Sequence, residues 1–139
     1  MADPADQRPG DGLAGLLEIP AAEVGDGRAS VRLAMRDELT GPGGQGVASA
    51  IYAAVAEAIC ASATRQAISS DTGAVEPLTS QTSVLATAPT AHIDAVATAR
   101  HRGRTTWVWD VEFRDGDGDL RATTRLTLAI RARSARADA

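Results

Sequence analysis

The sequence predicts an α+β domain in which one long buried helix lies against a curved antiparallel sheet. Between Val47 and Thr64 the only charged side chain is Glu57, and apolar residues occupy nearly every face, as in a helix covered on most sides. After Pro77 the apolar period changes from helical to two and stays so through consecutive segments. Helix and strands therefore occupy separate stretches of the chain, which is the α+β arrangement and not the alternating one.

Taken in order, residues 1–10 carry Pro, Asp, Gly and Gln with few apolar groups and are expected to be a disordered tail, as are residues 132–139. A single domain is expected over residues 11–131. Leu13 to Ile19 is a short apolar stretch that packs as a helical turn or an irregular strand before Pro20. Ala29 to Arg36 alternates, with Val31, Leu33 and Met35 on one face and Arg32 and Arg36 on the other, which predicts a half-buried strand. The run Gly41-Pro42-Gly43-Gly44-Gln45-Gly46 breaks regular structure and forms a loop of unusual backbone freedom.

The helix runs from Val47 to about Gln66. Val47, Ile51, Val55, Ala58 and Ile59 form one stripe, and Ala48, Ala50, Ala53, Ala54, Ala56, Cys60 and Ala61 fill the other faces. Ser69 to Glu76 reads as a polar connection. Leu78 to Ala88 reads as a strand, Pro89 interrupts it, and Ile93 to Arg100 follows. Gly103 marks a turn. Next, Trp107, Trp109, Val111 and Phe113 alternate with Val108, Asp110, Glu112 and Arg114. Asp115-Gly116-Asp117-Gly118-Asp119 is a hairpin signal. In the last strand Leu120, Ala122, Thr124, Leu126, Leu128 and Ile130 oppose Arg121, Thr123, Arg125, Thr127 and Arg131.

A chain of 139 residues buries enough surface to fold without a metal or a disulfide. One cysteine, Cys60, forms no internal disulfide, and with two histidines it makes no structural zinc site, so no metal is expected. A net charge of −4 argues against nucleic acid as a partner. No apolar run approaches the roughly 18 residues of a membrane span, and the N-terminus carries no basic-then-apolar signal pattern, so the expected compartment is the cytoplasm. Aromatic residues make up only 3%, so the core rests on Val, Leu, Ile and many Ala, and an oligomer would bury more apolar surface than the single chain does.

Glu57 stands alone among alanines where a solvent-facing helix side would carry several charges. An unpaired carboxylate under cover is costly, so it has a chemical task or an interfacial partner, unless it is simply solvated. Asp115, Asp117 and Asp119 match the start of a calcium loop but lack its later glycine and terminal glutamate, so they read as a turn. The loop Gly41 to Gly46 lacks the Lys-Ser/Thr of a phosphate loop. Cys60 reads as a small core residue, and His92 and His101 sit near strand ends, far in sequence from Glu57.

Two stretches carry a family likeness. One is His101-Arg102-Gly103-Arg104, followed by a strand that ends in Arg114-Asp115-Gly116-Asp117-Gly118. The other is the glycine loop with Val47-Ala48-Ser49-Ala50, Ile51-Tyr52-Ala53-Ala54 and Val55-Ala56-Glu57. Together they resemble the hotdog-fold thioesterases of the acyl-CoA and 4-hydroxybenzoyl-CoA type, with their loop and V-H-G-G-x-x-x-x-L-A-D/E helix start. The likeness covers roughly Leu13 to Arg131. Ala48-Ser49-Ala50 replaces the His-Gly-Gly, Ala61 stands where some members have Thr, and Ala86-Thr87-Ala88-Pro89 stands where Phe-Leu-Arg-Pro is common.

The resemblance implies a curved sheet wrapped around a central helix. It also implies an acyl-CoA or acyl-carrier thioesterase, possible weakening of its activity included. Glu57 would activate water or attack the carbonyl, and the backbone N–H groups of Ser49 and Ala50 would polarise the thioester oxygen; Ser49 has the alternative role of helix cap. Arg102 and Arg104 would contact coenzyme A phosphates, or else form an ordinary exposed turn. No cofactor is implied beyond the coenzyme A of the substrate. The implied assembly is a homodimer or a dimer of dimers with the acyl chain between subunits. The alternative is a non-catalytic hotdog domain that binds an acyl thioester or a protein partner. A dehydratase is disfavoured because no histidine stands in the helix loop.

Overall fold

The structure, a computed structural model, describes residues 12–68 and 73–132. The expected tails lie outside the described residues, apart from Ala132. The elements are α1 (Gly12–Leu16), β1 (Glu23–Gly25), β2 (Arg28–Ala34), α2 (Ser49–Ala67), β3 (Ala74–Val84), β4 (His92–Arg102), β5 (Thr106–Arg114) and β6 (Leu120–Arg131), with two 3-10 turns, Asp37–Leu39 and Pro42–Gly44, before α2. All six strands form one antiparallel sheet in the order β1-β2-β4-β5-β6-β3. The chain thus leaves one side of the sheet after β2, crosses a face of the sheet as α2, and re-enters as the opposite edge strand, β3.

The alternation read from the sequence sets the inner face. Leu33, Ile93, Ala95, Ala97, Trp109, Val111, Phe113, Leu126 and Leu128 are buried there, against Tyr52, Val55, Ala56, Ile59 and Cys60 of α2. Trp109 needs a partner for its buried indole N–H, and Thr64 of α2 supplies it. Nε1 donates to Thr64 Oγ1 at 3.0 Å, while Oγ1 donates to the Cys60 carbonyl at 2.7 Å.

Curvature comes from bulges, where one extra residue bends its strand. Register shifts fall between Pro77 and Thr79 in β3, between Ala99 and His101 in β4, and across the β5–β6 hairpin. In that hairpin Phe113 faces Ala122 and Arg114 faces Leu120, so Arg121 is the extra residue. The simple alternation expected for β6 fails at this point, and Arg121 is buried.

Three boundaries differ from the sequence reading. β3 begins at Ala74 and ends at Val84, because Ala74 to Pro77 pair with Arg131 to Leu128; an edge strand tolerates the proline. β1 is a three-residue strand joined to β2 through Asp26-Gly27, and such a strand is too short to show a period. The helix starts at Ser49, and the residue before it, Ala48, is the cap.

Candidate active site

The base of the glycine loop is pinched shut. The Gly41 N–H donates to the Gly46 carbonyl and the Ala48 N–H to the Leu39 carbonyl, both at 2.8 Å, and Thr40 pairs with Val47. This delivers the chain into α2 at a fixed angle. Ala48 caps the helix without a side-chain hydrogen bond, so Ser49 is the first helical residue and its hydroxyl does not act as the N-cap acceptor. The Ile51 N–H donates to the Ala48 carbonyl at 2.9 Å, while the N–H groups of Ser49 and Ala50 meet no backbone acceptor among the described residues. Both residues are exposed. Unpaired N–H groups at a helix start carry about half a positive charge between them.

Glu57 lies seven residues beyond Ala50, which is about two turns and roughly 10 Å along the same face. It is exposed, and no ion pair among the described residues includes it. Between them lie Ala53 and Ala54, half-buried, with no side chain larger than a methyl. Beyond Glu57 the same stripe passes under cover at Ala61 and Thr64. Helical side chains tilt toward the N-terminus, so the Glu57 carboxylate leans back toward the exposed N–H groups. The arrangement offers two donors and one carboxylate acceptor along a shallow strip.

The other sequence candidates fall elsewhere. Arg102 ends β4, an eleven-residue strand about 33 Å long, and Arg104 follows it, whereas the segment that meets Gly46, Thr87–Ala88, leads into the opposite, His92 end. Arg102 Nη1 pairs with Asp26 Oδ1 at 2.5 Å, whereas Arg104 is exposed and in no ion pair among the described residues. His92 Nε2 lies 3.6 Å from Asp94 Oδ2, and Arg32 Nε lies 2.7 Å from Asp94 Oδ1. An open hollow of about 560 Å³ beside His92, Arg36, Met35 and Glu18 includes neither Glu57 nor Ser49. Cys60 is buried, and burial pushes its thiol far above the usual range. Asp115 is spent within its own turn. Its Oδ1 accepts the N–H groups of Asp117 and Asp119 at 2.9 and 3.0 Å, and its Oδ2 accepts Arg121 Nε at 2.6 Å.

Sequence reasoning missed this Asp115–Arg121 pair. The aspartate that opens a D-G-D-G-D turn is a standing candidate for bonding backbone N–H groups two and four residues on. The arginine could be placed only once the bulge was known.

Three carboxyls are held below the usual carboxylate range, each chiefly by an arginine hydrogen bond: Asp94 by Arg32, Asp110 by Arg125 and Asp115 by Arg121. A lowered folded-state value means that the unfolded chain binds protons first as pH falls. These pairs therefore stabilise fully above about pH 4, the ordinary Asp value, and lose their contribution as pH drops through the lowered folded values. Denaturant titrations across pH 2–8 should show a plateau from these groups above about pH 5 and a decline below about pH 4; stability that rises on acidification through that window would contradict the pairing.

The curved six-stranded sheet with α2 across it is similar to solved thioesterase structures. A mutant of thioesterase SAV0944 from Staphylococcus aureus subsp. aureus Mu50 matches with a TM-score of 0.80 and 23% identity, over 86% of this chain and 98% of that one. The chain has the hotdog fold. Thioesterase HI1161 from Haemophilus influenzae matches with a TM-score of 0.80 and 20% identity, over 88% of this chain and 84% of that one. A mutant of thioesterase PA1618 from Pseudomonas aeruginosa gives 0.81 and 23%, over 88% and 87%. No family model matches the sequence. At these identities the likeness establishes the hotdog architecture, and the chemistry rests on the residues of this chain. Among the described residues no helix is long and apolar enough to cross a membrane.

Proposed function

We propose that this protein is a thioester hydrolase acting on an acyl-CoA or acyl-carrier substrate. The observation that carries the reading is the exposed carboxylate of Glu57 on the same face of α2 as Ala50, two turns from the helix start, where the N–H groups of Ser49 and Ala50 meet no backbone acceptor among the described residues. The thioester oxygen sits at those N–H groups, where the helix end stabilises the charge that develops in the tetrahedral intermediate. Glu57 takes a proton from water as the water oxygen bonds to the carbonyl carbon. The C–S bond then breaks, the sulfur leaves with the proton from Glu57, and the carboxylic acid is released. The thioesterases of similar fold support this reaction class. Assay of a panel of acyl-CoA lengths tests it, and absence of turnover across the panel would overturn it. Ala48 brings no side-chain donor to the loop, so turnover below the enzyme median of about 10 s⁻¹ is expected.

The second reading, a non-catalytic hotdog domain that binds an acyl thioester or a protein partner, is favoured by one feature. Ser49 and Ala50 place Cβ atoms at the helix start where glycine would permit closer approach. Calorimetric binding of a non-hydrolysable acyl-CoA without turnover of the parent thioester would select it.

The active unit in this proposal is a homodimer, alone or paired into a dimer of dimers. β3 is an eleven-residue edge strand that among the described residues pairs with β6 alone, and Leu78, Val84 and Leu85 along and just beyond it are 49%, 39% and 58% exposed. An open apolar edge of that length calls for cover. A second copy supplies it and closes the strip beside Glu57. Light scattering at micromolar concentration should give twice the chain mass or a multiple of it, and a monomer would remove the inter-subunit site. The expected compartment is the cytoplasm.

Arg102 and Arg104 would grip coenzyme A phosphates of a site completed by another subunit, since they lie far from their own helix start. Arg104 is the less constrained of the two. Its replacement by alanine should raise KM for acyl-CoA severalfold at low salt, less at moderate salt, with kcat nearly unchanged, as for binding remote from the reacting bond. An unchanged KM in both conditions would leave the turn without a role and favour a phosphate-free handle.

A further inference from the structure

We propose that Arg121 is a positioning residue, which holds the segment Thr87–Pro89 against Gly46 and so sets the loop that presents the Ser49 and Ala50 N–H groups. Its catalytic consequence rests on the thioesterase reading above, and its structural coupling does not. Arg121 is the extra residue of the β6 bulge, and bulges re-aim side chains. Here the guanidinium is turned inward, where it and the Asp115 carboxylate are 7% and 6% exposed.

Every arm of the guanidinium fork has a partner. Nε donates to Asp115 Oδ2, Nη1 to the Ala88 carbonyl, and Nη2 reaches the Pro89 carbonyl at 3.5 Å. The Arg121 backbone grips the same segment upstream, because its carbonyl accepts the N–H groups of Leu85 and Ala86 at 2.8 and 3.2 Å. Residues 85–91 belong to no strand, so these bonds take the place of a ladder.

On its other side the segment meets the loop. A Cβ at Gly46 would lie 2.0 Å from the Thr87 carbonyl oxygen and 3.1 Å from that of Ala88. Gly46 closes the loop through its carbonyl and is followed directly by Val47, Ala48 and the first helical residue. The physical path therefore runs from the β5–β6 hairpin through Arg121 to Ala88, across to Gly46, and into the helix start. A buried ion pair is a poor source of stability, but a planar fork fixes its acceptors in one geometry. Oxyanion donors need that constraint, since a displacement of about 1 Å can cost about 10²-fold in rate.

The test uses the full chain with Arg121→Lys, which keeps the charge and loses the fork, and Asp115→Asn, which keeps the shape and loses the charge. Amide hydrogen exchange should accelerate at least tenfold at Gly41 and Ala48 in both variants. Amides of Val55–Ile59 and Trp109–Phe113 should keep wild-type protection. Unchanged exchange at Gly41 and Ala48, or an equal rise everywhere, would overturn the coupling. In the same variants kcat for acyl-CoA should fall about tenfold with KM unchanged. A kcat equal to wild type beside a loosened loop would overturn the positioning role. A wild-type protein without turnover would remove the thioesterase reading, and the exchange result would then decide the coupling alone.

Discussion

Glu57→Ala is expected to lower turnover of any acyl-CoA that the wild-type protein hydrolyses by about 10²-fold or more, because a positioned base supplies about 10²–10⁴. The fold should persist. Glu57 is exposed, makes no ion pair among the described residues, and stands in a helix where alanine is the best-suited residue, so the stability change should stay within about 0.5 kcal/mol. Loss of rate without loss of stability is the signature that separates chemical from structural work. Glu57→Gln sharpens the test, since it keeps the shape and a hydrogen-bonding end but accepts no proton, and should be as slow as Glu57→Ala. Released coenzyme A can be followed with a thiol reagent, because Cys60 is buried with its thiol pushed far up and does not compete near neutral pH. Equal kcat in wild type and Glu57→Ala would remove this carboxylate from the mechanism.

The helix and the long strands were legible because their periods are long. Trp107, Trp109, Val111 and Phe113 alternate without a break and all are buried. Ala50 and Glu57 stand seven residues apart, so helical spacing alone puts them on one face of α2, whatever the tertiary fold does. Properties that depend on sheet order were not legible. Nothing in the spacing of Arg102 and Arg104 places their turn at the far end of β4 from the glycine loop, since that requires knowing that β4 lies between β2 and β5. Period two puts Arg121 on the face opposite Leu120 and Ala122, and one inserted residue at a hairpin reverses every such assignment locally. β1 spans three residues, shorter than any period can report, although Asp26-Gly27 is a hairpin dipeptide in its own right.

Gly46→Ala is expected to destabilise the protein by about 2–4 kcal/mol, the sum of two separable costs. The first is conformational. Gly46 has φ of +107°, a region that L-residues rarely adopt. The second is steric, because the new methyl would stand 2.0 Å from the Thr87 carbonyl oxygen, and that atom is backbone that cannot rotate away. Gly43 separates the two, since its φ is +72° but its nearest neighbour to a Cβ is Gln45 Cγ at 3.7 Å, an ordinary contact. Gly43→Ala should therefore cost only the conformational part, about 1–2 kcal/mol. The excess at Gly46 measures how firmly Thr87–Pro89 is held. If that segment could yield, the methyl would push it aside and the two variants would lose equal stability. Because Ala88 is held by the buried Arg121, the segment should not yield, and the strain should pass into the loop, opening the Gly41–Gly46 hydrogen bond and displacing the start of α2. Chemical denaturation of both variants gives the difference directly, and equal midpoints and slopes would show that the loop and the segment are not in rigid contact.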